Sequence, residues 1–264
     1  MNDICILDSI TDADAADRGA VVASGSHGGI YPAAVASQAG IRAVAFNDAG
    51  RGLEDAGIEG VLKLGEVGMA AIAADCMTAP IGDANALLSK GVVSVVNAVA
   101  EELGIAPGQD VQSAMVVLKN APQPTSLLAK VAEARRRATL ENGLEVELLD
   151  SASLVGHEDI GRIVVTGSHG ALIGGDPSRA LKAQARIAVY NDAGGGIGGT
   201  GYTRLPALES AGIAAVTVAA SSAKIGNARS ALQTGIISAM NAPAGDLGAK
   251  KDLRLKTWLA RLDS

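Results

Sequence analysis

Aromatic side chains are nearly missing from this sequence: one Phe, one Trp and three Tyr make up 2% of 264 residues. Platforms that stack bases or sugars need more rings than that. Positive charge is also short. Twenty-two Lys and Arg stand against 28 Asp and Glu, a formal charge of −6, whereas nucleic-acid binding leaves a basic footprint. Two cysteines, Cys5 and Cys76, are too few for a disulfide framework. No run reaches the 18 or so apolar residues of a membrane span. The start, Met1-Asn2-Asp3, is followed by a short apolar stretch and then acids. It lacks the basic opening and long apolar centre of a secretory signal. These absences predict a cytoplasmic protein with a small-molecule substrate, and with no nucleic-acid or membrane partner. A homo-oligomer is allowed.

What is abundant is Gly, at 33 residues, and small aliphatic side chains; hydrophobic residues are 48% of the chain. The sequence also repeats itself. Leu7-Asp8-Ser9 returns as Leu149-Asp150-Ser151, and Gly25-Ser26-His27-Gly28 as Gly167-Ser168-His169-Gly170, both 142 positions on. Asn47-Asp48-Ala49-Gly50 returns as Asn191-Asp192-Ala193-Gly194 at an offset of 144. The two extra residues fall between Ala171 and Ser178, where Gly174-Gly175-Asp176-Pro177 reads as a turn. Ile81-Gly82, Gly91 and Asn97-Ala98 recur as Ile225-Gly226, Gly235 and Asn241-Ala242. Matches in order and nearly ungapped, from about residue 4 to 104 and from 146 to 248, read as an internal duplication.

Each copy reads as about four strands and three helices. In copy one the strands are Ile4–Leu7, Ala20–Ala23 with its end at Ser26, Ala43–Phe46 and Met69–Ala74. Helices are predicted over Pro32–Ala39, with Pro in the first turn, through Val61, Leu64 and Val67, and over Asp83–Leu103 with Gly104 as its stop. Apolar strands alternating with helices predict α/β architecture with mainly parallel sheets, as two tandem homologous βα modules related by a pseudo-two-fold. The expected divisions are 1–108, the first repeat; 109–143, a connector; 144–248, the second repeat; and 249–264, an amphipathic helix with Leu255, Trp258, Leu259 and Leu262 on one face. Within the connector, Ala114–Leu118 is open to an extra strand and Ser126–Leu140 reads as a charged helix.

Ligands of open parallel sheets bind beyond the carboxyl ends of the strands, and the repeated polar motifs fall there. His27 and His169, two of only three histidines, are candidates for general acid–base work because their intrinsic pKa is near neutral. Asp48 and Asp192 would orient them or bind substrate, with Asn47 and Asn191 alongside. The N–H groups of Gly28, Gly29 and Gly170 are candidates for holding a carboxylate or oxyanion. Ser26 and Ser168 are candidate catalytic hydroxyls. Ser221, Ser222 and Lys224 are candidate substrate contacts. The plainer account is that the serines cap, the histidines bond to backbone and Asn-Asp-Ala-Gly turns the chain. Cys76, which has Ala220 as its counterpart, is a candidate nucleophile or a small buried hydrophobe. No metal-ligand spacing is present, so neither a metal nor a cofactor is expected.

Val22–Gly28 and Ala74-Asp75-Cys76 locally resemble the His-Gly and Asp/Ala-Cys blocks of caspase-like cysteine peptidases. The resemblance spans about ten residues, and it implies a Cys–His pair of Cys76 and His27. This chain places a whole strand, Ala43–Phe46, between the blocks, and copy two lacks the Cys. Gly194-Gly195-Gly196-Ile197-Gly198-Gly199 fits the dinucleotide pattern G-x-G-x-x-G. Copy one fails it, Pro206 interrupts the helix that should follow, and the next strand ends in Ala219-Ala220 without an acid for a ribose. Gly194–Gly201 reads better as a mobile loop. The expectation is an enzyme on a small carboxylate or amide, first of all a hydrolase working between the repeats. A lyase or isomerase would use the same residues. A Cys–His hydrolase and a non-catalytic small-anion or nucleotide sensor are the other readings.

Overall fold

The structure is a computed structural model that describes residues 4–263; the reading of Met1-Asn2-Asp3 lies outside them. The chain forms two compact units. The first is built from the residues up to Arg51, Asp55–Ala132 and Gly196–Gly198. The second is built from Gly52–Glu54, Glu133–Gly195 and Gly199 onward. No helix among the described residues is long and apolar enough to cross a membrane.

The first unit holds five strands: β1 (Ile4–Leu7), β2 (Val21–His27), β3 (Ala43–Asn47), β4 (Ala70–Ala74) and β5 (Val93–Val96). They lie in the order β1-β2-β3-β4-β5. The first four are parallel and β5 is antiparallel. Helices α1 (Ile30–Gln38), α2 (Glu59–Gly65), α3 (Ala84–Lys90), α4 (Ala98–Glu102) and α5 (Val111–Leu118) connect and cover them. Val22, Val44, Phe46, Ala71 and Ala73 face a core with α1 and α2. Val21, Ala23, Ala45, Ile72 and Ala74 face the opposite core, filled by Leu87, Val111, Met115 and Leu118. Burial on both faces is why these strands read as unbroken apolar runs.

The second unit repeats that order with one strand added. β6 (Arg135–Thr139), β7 (Glu145–Leu149), β8 (Ile163–His169), β9 (Ile187–Asn191), β10 (Ala214–Val218) and β11 (Ile237–Met240) form the sheet β11-β10-β9-β8-β7-β6. Helices α6 (Arg204–Ser210), α7 (Ala228–Thr234), α8 (Ala242–Asp246) and α9 (Leu255–Leu259) belong to it. Each sheet thus carries a tandem βα module.

Several sequence readings are corrected. The helix expected over 83–103 is interrupted. Gly91 ends α3, where a Cβ would lie 2.4 Å from Leu87 O, and the β-branched run after it becomes β5. Ala114–Leu118 belongs to helix α5, capped by the Asp110 side chain on Ser113 N–H. Residues 126–134 are not helical, and Arg135–Thr139 is an edge strand. The β6 arginines ion-pair with Glu145, Glu147, Asp150, Glu158 and Asp159. Charge of this kind on an edge discourages strand addition. α1 has no helical counterpart in module two. Gly174 and Gly175, both at positive φ, and Pro177 leave only short 3-10 turns at Ile173–Gly175 and Pro177–Arg179.

The likeness of the modules runs further than the sequence matches. Val92 bridges Asp110, and 144 positions on Ile236 bridges Arg254. Val111 N–H donates to Gly91 O, and Leu255 N–H to Gly235 O. Helices α5 and α9 are therefore the same element in two modules, although their sequences share little.

Candidate functional site

Both β2 and β8 break register just before their histidine, between Ala23 and His27 and between Val165 and His169. Such bulges re-aim side chains at strand ends. Gly25 sits within the bulge because nothing larger fits: a Cβ would lie 2.7 Å from Asp8 O and 2.8 Å from Asp83 N. Gly167 is equally confined, by Asp150 O and Asn227 N. Asp8 Oδ1 accepts Ala84 N–H, and Asp150 Oδ1 accepts Ala228 N–H. The repeated Leu-Asp-Ser and Gly-Ser-His-Gly motifs thus fasten the start of a helix to the end of a strand.

Most repeated polar groups have backbone partners. Ser26 Oγ accepts Ile10 N–H, and Ser168 Oγ accepts Ala152 N–H. Asn47 donates to Ala79 O and accepts Ala49 N–H; Asn191 does the same with Ala223 and Ala193. Gly28 N–H donates to Asn47 O, Gly170 N–H to Asn191 O, and Gly29 N–H to His27 Nδ1. In this arrangement none of these three N–H groups is open to an oxyanion. Ser222 Oγ donates to Ala219 O and accepts Ile236 N–H, while Ser221 is exposed. Lys224, a candidate for binding anions, lies 2.5 Å from Glu54 in an ion pair.

Asp48 accepts three hydrogen bonds. Its Oδ1 accepts Gly50 N–H at 2.9 Å and Cys76 N–H at 3.0 Å, and its Oδ2 accepts the Ser94 hydroxyl at 2.8 Å. Asp192 Oδ1 likewise accepts Gly194 and Ala220 N–H. The third bond has no counterpart, because Ser238 pairs with Thr217 instead. Asp192 has a different neighbour, Tyr202, whose phenol is held above its ordinary pKa by burial and by the Asp192 charge. Ser94 and Tyr202 escaped the sequence reading. Ser94 was hidden by the helix expected over 83–103, and the Val-Val-Ser-Val-Val run around it was the signal for a strand. Tyr202 follows a glycine-rich loop whose G-x-G-x-x-G match drew attention to the glycines and not to the ring.

His27 is partly buried at the end of β2, beside Asn47 of β3. With Gly29 N–H donating to Nδ1 at 3.1 Å, the ring proton sits on Nε2. Burial lowers its pKa to about 4, so the ring is neutral at physiological pH and presents an N–H donor. His169 holds the same position in β8 and is buried. Cys76 is buried, and its thiol is pushed up to about 12 by burial and then by the Asp48 and Asp75 carboxylates. It is protonated at neutral pH, the reverse of an activated nucleophile. Asp48, Asp75 and Cys76 bring three ligand atoms within 4.8 Å of one another, a grouping that no sequence spacing revealed. Asp48 already accepts three hydrogen bonds, and module two has Ala219 and Ala220 at the other two positions.

The loop after Asp48 is strained. Ala49, Arg51, Glu54 and Asp55 all have φ between 51° and 59°, a region that costs ordinary residues energy. In module two Ala193 keeps the same strain at φ 50°, while Gly195, Gly198 and Gly199 take positive φ at the positions of Arg51, Glu54 and Asp55. The match to G-x-G-x-x-G is therefore a record of backbone geometry. Each sheet also runs β1-β2-β3-β4 or β7-β8-β9-β10 without reversing, so neither has the switch-point crevice that dinucleotides use. Gly194–Gly201, expected as a loop, is partly 3-10 helical over Ile197–Tyr202.

No family model, curated protein or solved structure matches the chain.

Proposed function

We infer that the chain is an enzyme acting on a small carboxylate or amide metabolite by acid–base chemistry at the strand ends of module one. The observation that carries this reading is the hydrogen bond from Gly29 N–H to His27 Nδ1. It fixes the tautomer, so Nε2–H is a neutral donor to a carbonyl or carboxylate oxygen. A donor fixed in this tautomer would meet negative charge developing on such an oxygen without reorganising the ring. The left-handed loop beginning at Ala49, next to Asp48, adds support, since local backbone strain clusters at functional sites.

A route without a covalent enzyme intermediate fits best. The Cys76 thiol is held protonated, and Ser26 Oγ serves as acceptor for Ile10 N–H. Hydrolysis by a water molecule keeps the reaction expected from the sequence; elimination or isomerisation next to a carbonyl would use the same donor.

Proton NMR in D2O over a panel of small oxo-, hydroxy- and dicarboxylic acids and their amides tests the proposal, because it detects hydrolysis, elimination and proton exchange alike. Turnover of at least one compound is expected. His27→Asn should slow it by about a hundredfold or more, with affinity within about tenfold. Binding without turnover across the panel would make the protein a sensor. Full activity in folded His27→Asn would remove His27 from the chemistry.

A further inference from the structure

Helix α1, present in module one only, borders a groove of about 520 Å³, within the roughly 300–1,000 Å³ of small-molecule sites. Its walls come from the turns around Ala13 to Arg18, from Tyr31, Val35 and Gln38 of α1, and from Lys130 and Val131. None of His27, Asp48 or Cys76 lines it. The groove is held by a clamp. Leu128 N–H donates to Ser37 Oγ at 2.9 Å, and Gln38 Nε2 donates to Leu128 O at 2.6 Å. This fixes the non-helical segment along α1.

The lining joins two kinds of surface. Ala13, Val35, Val131 and the Tyr31 ring are apolar, while Arg18 and Lys130 bring positive charge and Asp14 negative. The Asp14 carboxylate is engaged by Ala16 N–H. Arg18 and Lys130 enter no ion pair among the described residues. The groove is left with one surplus positive charge beside an apolar wall. In module two the counterparts of Arg18 and Tyr31 are Ile160 and Ile173, so cation and ring are both lost there.

We propose that this groove is a ligand site for a small organic monoanion with an apolar body. The carboxylate is taken by Arg18 and Lys130 through charge-assisted hydrogen bonds, and the hydrocarbon or aryl part lies against Tyr31 and Val35. The site is independent of the strand-end chemistry. Lys130 and Val131 immediately precede the point, after Ala132, where the chain passes from the first unit to the second. An anion seated there orders that passage.

Phenylacetate and hexanoate serve as probes, phenylacetamide as the uncharged control and inorganic phosphate as the anion without an apolar body. Full-length protein is titrated by calorimetry, and tryptic cleavage after Lys130 is followed by mass spectrometry. At least one carboxylate should bind one-to-one and slow that cleavage. Phenylacetamide and phosphate should bind at least about tenfold more weakly. Arg18→Gln and Lys130→Gln, both exposed changes, should each weaken carboxylate binding about tenfold without shifting the melting temperature, and His27→Asn should leave binding unchanged. Absence of binding by both carboxylates, equal binding of either control, or undiminished affinity in Arg18→Gln would overturn the proposal.

Discussion

The bond between Ser94 and Asp48 separates the two modules energetically, and a double-mutant cycle measures it. A hydrogen bond to a charged group contributes about 1.5–3 kcal/mol. Asp48 accepts three, Asp192 two. Ser94 is only partly buried, so water replaces some of its loss and the lower figure applies. Ser94→Ala should cost about 1.5 kcal/mol, roughly 5 °C for a unit of this size. Asp48→Ala, at three such bonds, should cost about 4.5 kcal/mol, and Asp192→Ala, at two, about 3 kcal/mol. The double variant Asp48→Ala/Ser94→Ala should be no worse than Asp48→Ala alone, a coupling of about 1.5 kcal/mol. The assay is urea unfolding with two probes. Trp258, the one tryptophan, is buried in the second unit, so its fluorescence reports that unit while far-UV circular dichroism reports both. The Asp48 and Ser94 variants should move the dichroism transition and spare the fluorescence one. Coupling below about 0.5 kcal/mol, or equal costs for Asp48→Ala and Asp192→Ala, would refute the reasoning.

Stability should fall on acidification through His27. Its folded pKa, about 4, lies below the unfolded value of 6.5, so the unfolded chain binds more protons between those limits. The stabilisation is complete above pH 6.5 and lost as pH falls to 4, an effect of about 3 kcal/mol. Melting temperature against pH should be flatter in His27→Asn. Cys76 should resist iodoacetamide at pH 7.5 in the folded protein, given its thiol near 12, and Cys76→Ala should be tolerated; rapid stoichiometric labelling would contradict the burial argument. Gly198→Ala, at φ 63° with no atom within 4 Å, should cost about 0.5–1 kcal/mol from backbone strain less unfolded-chain entropy. Gly25→Ala, which forces a Cβ against backbone, should cost more than about 2 kcal/mol; similar unfolding midpoints for the two would be inconsistent with this geometry.

The parallel strands were legible because a strand buried on both faces must be apolar throughout, and the Val, Ala and Ile runs of β2, β3 and β4 say so. β5 was not, since Val92–Val96 between two short helices fits a long amphipathic pattern until Gly91 is read as a stop. Arg135–Thr139 reads as a helix by composition, and only pairing with β7 makes it a strand. At the site, the recurrence of Ser-His-Gly and Asn-Asp-Ala-Gly located the strand ends, but recurrence alone does not distinguish a bond to backbone from a bond to substrate. Ser26, Asn47 and Asp48 turn out to hold backbone groups. What sequence could not supply was the contact between Gly29 N–H and His27, which depends on a bulge that periodicity does not reveal.

The two left-handed loops have parallel backbone bonds but unequal freedom. Arg51 N–H donates to Asp48 O and Gly195 N–H to Asp192 O, each at 2.8 Å. Gly57 and Gly201 close the loops onto Arg51 O and Gly195 O. Around the first bond stand Arg51, Glu54 and Asp55, whose side chains narrow the conformations open to the chain; around the second stand glycines, which lose more entropy on being ordered. The latch bonds are alike, but Arg51, Glu54 and Asp55 carry left-handed strain that outweighs the entropy their side chains save, so the first loop should unlatch more often. Amide hydrogen exchange would record this as a lower protection factor at Arg51 than at Gly195. One path of backbone would then run as a slow gate in one module and a fast one in the other.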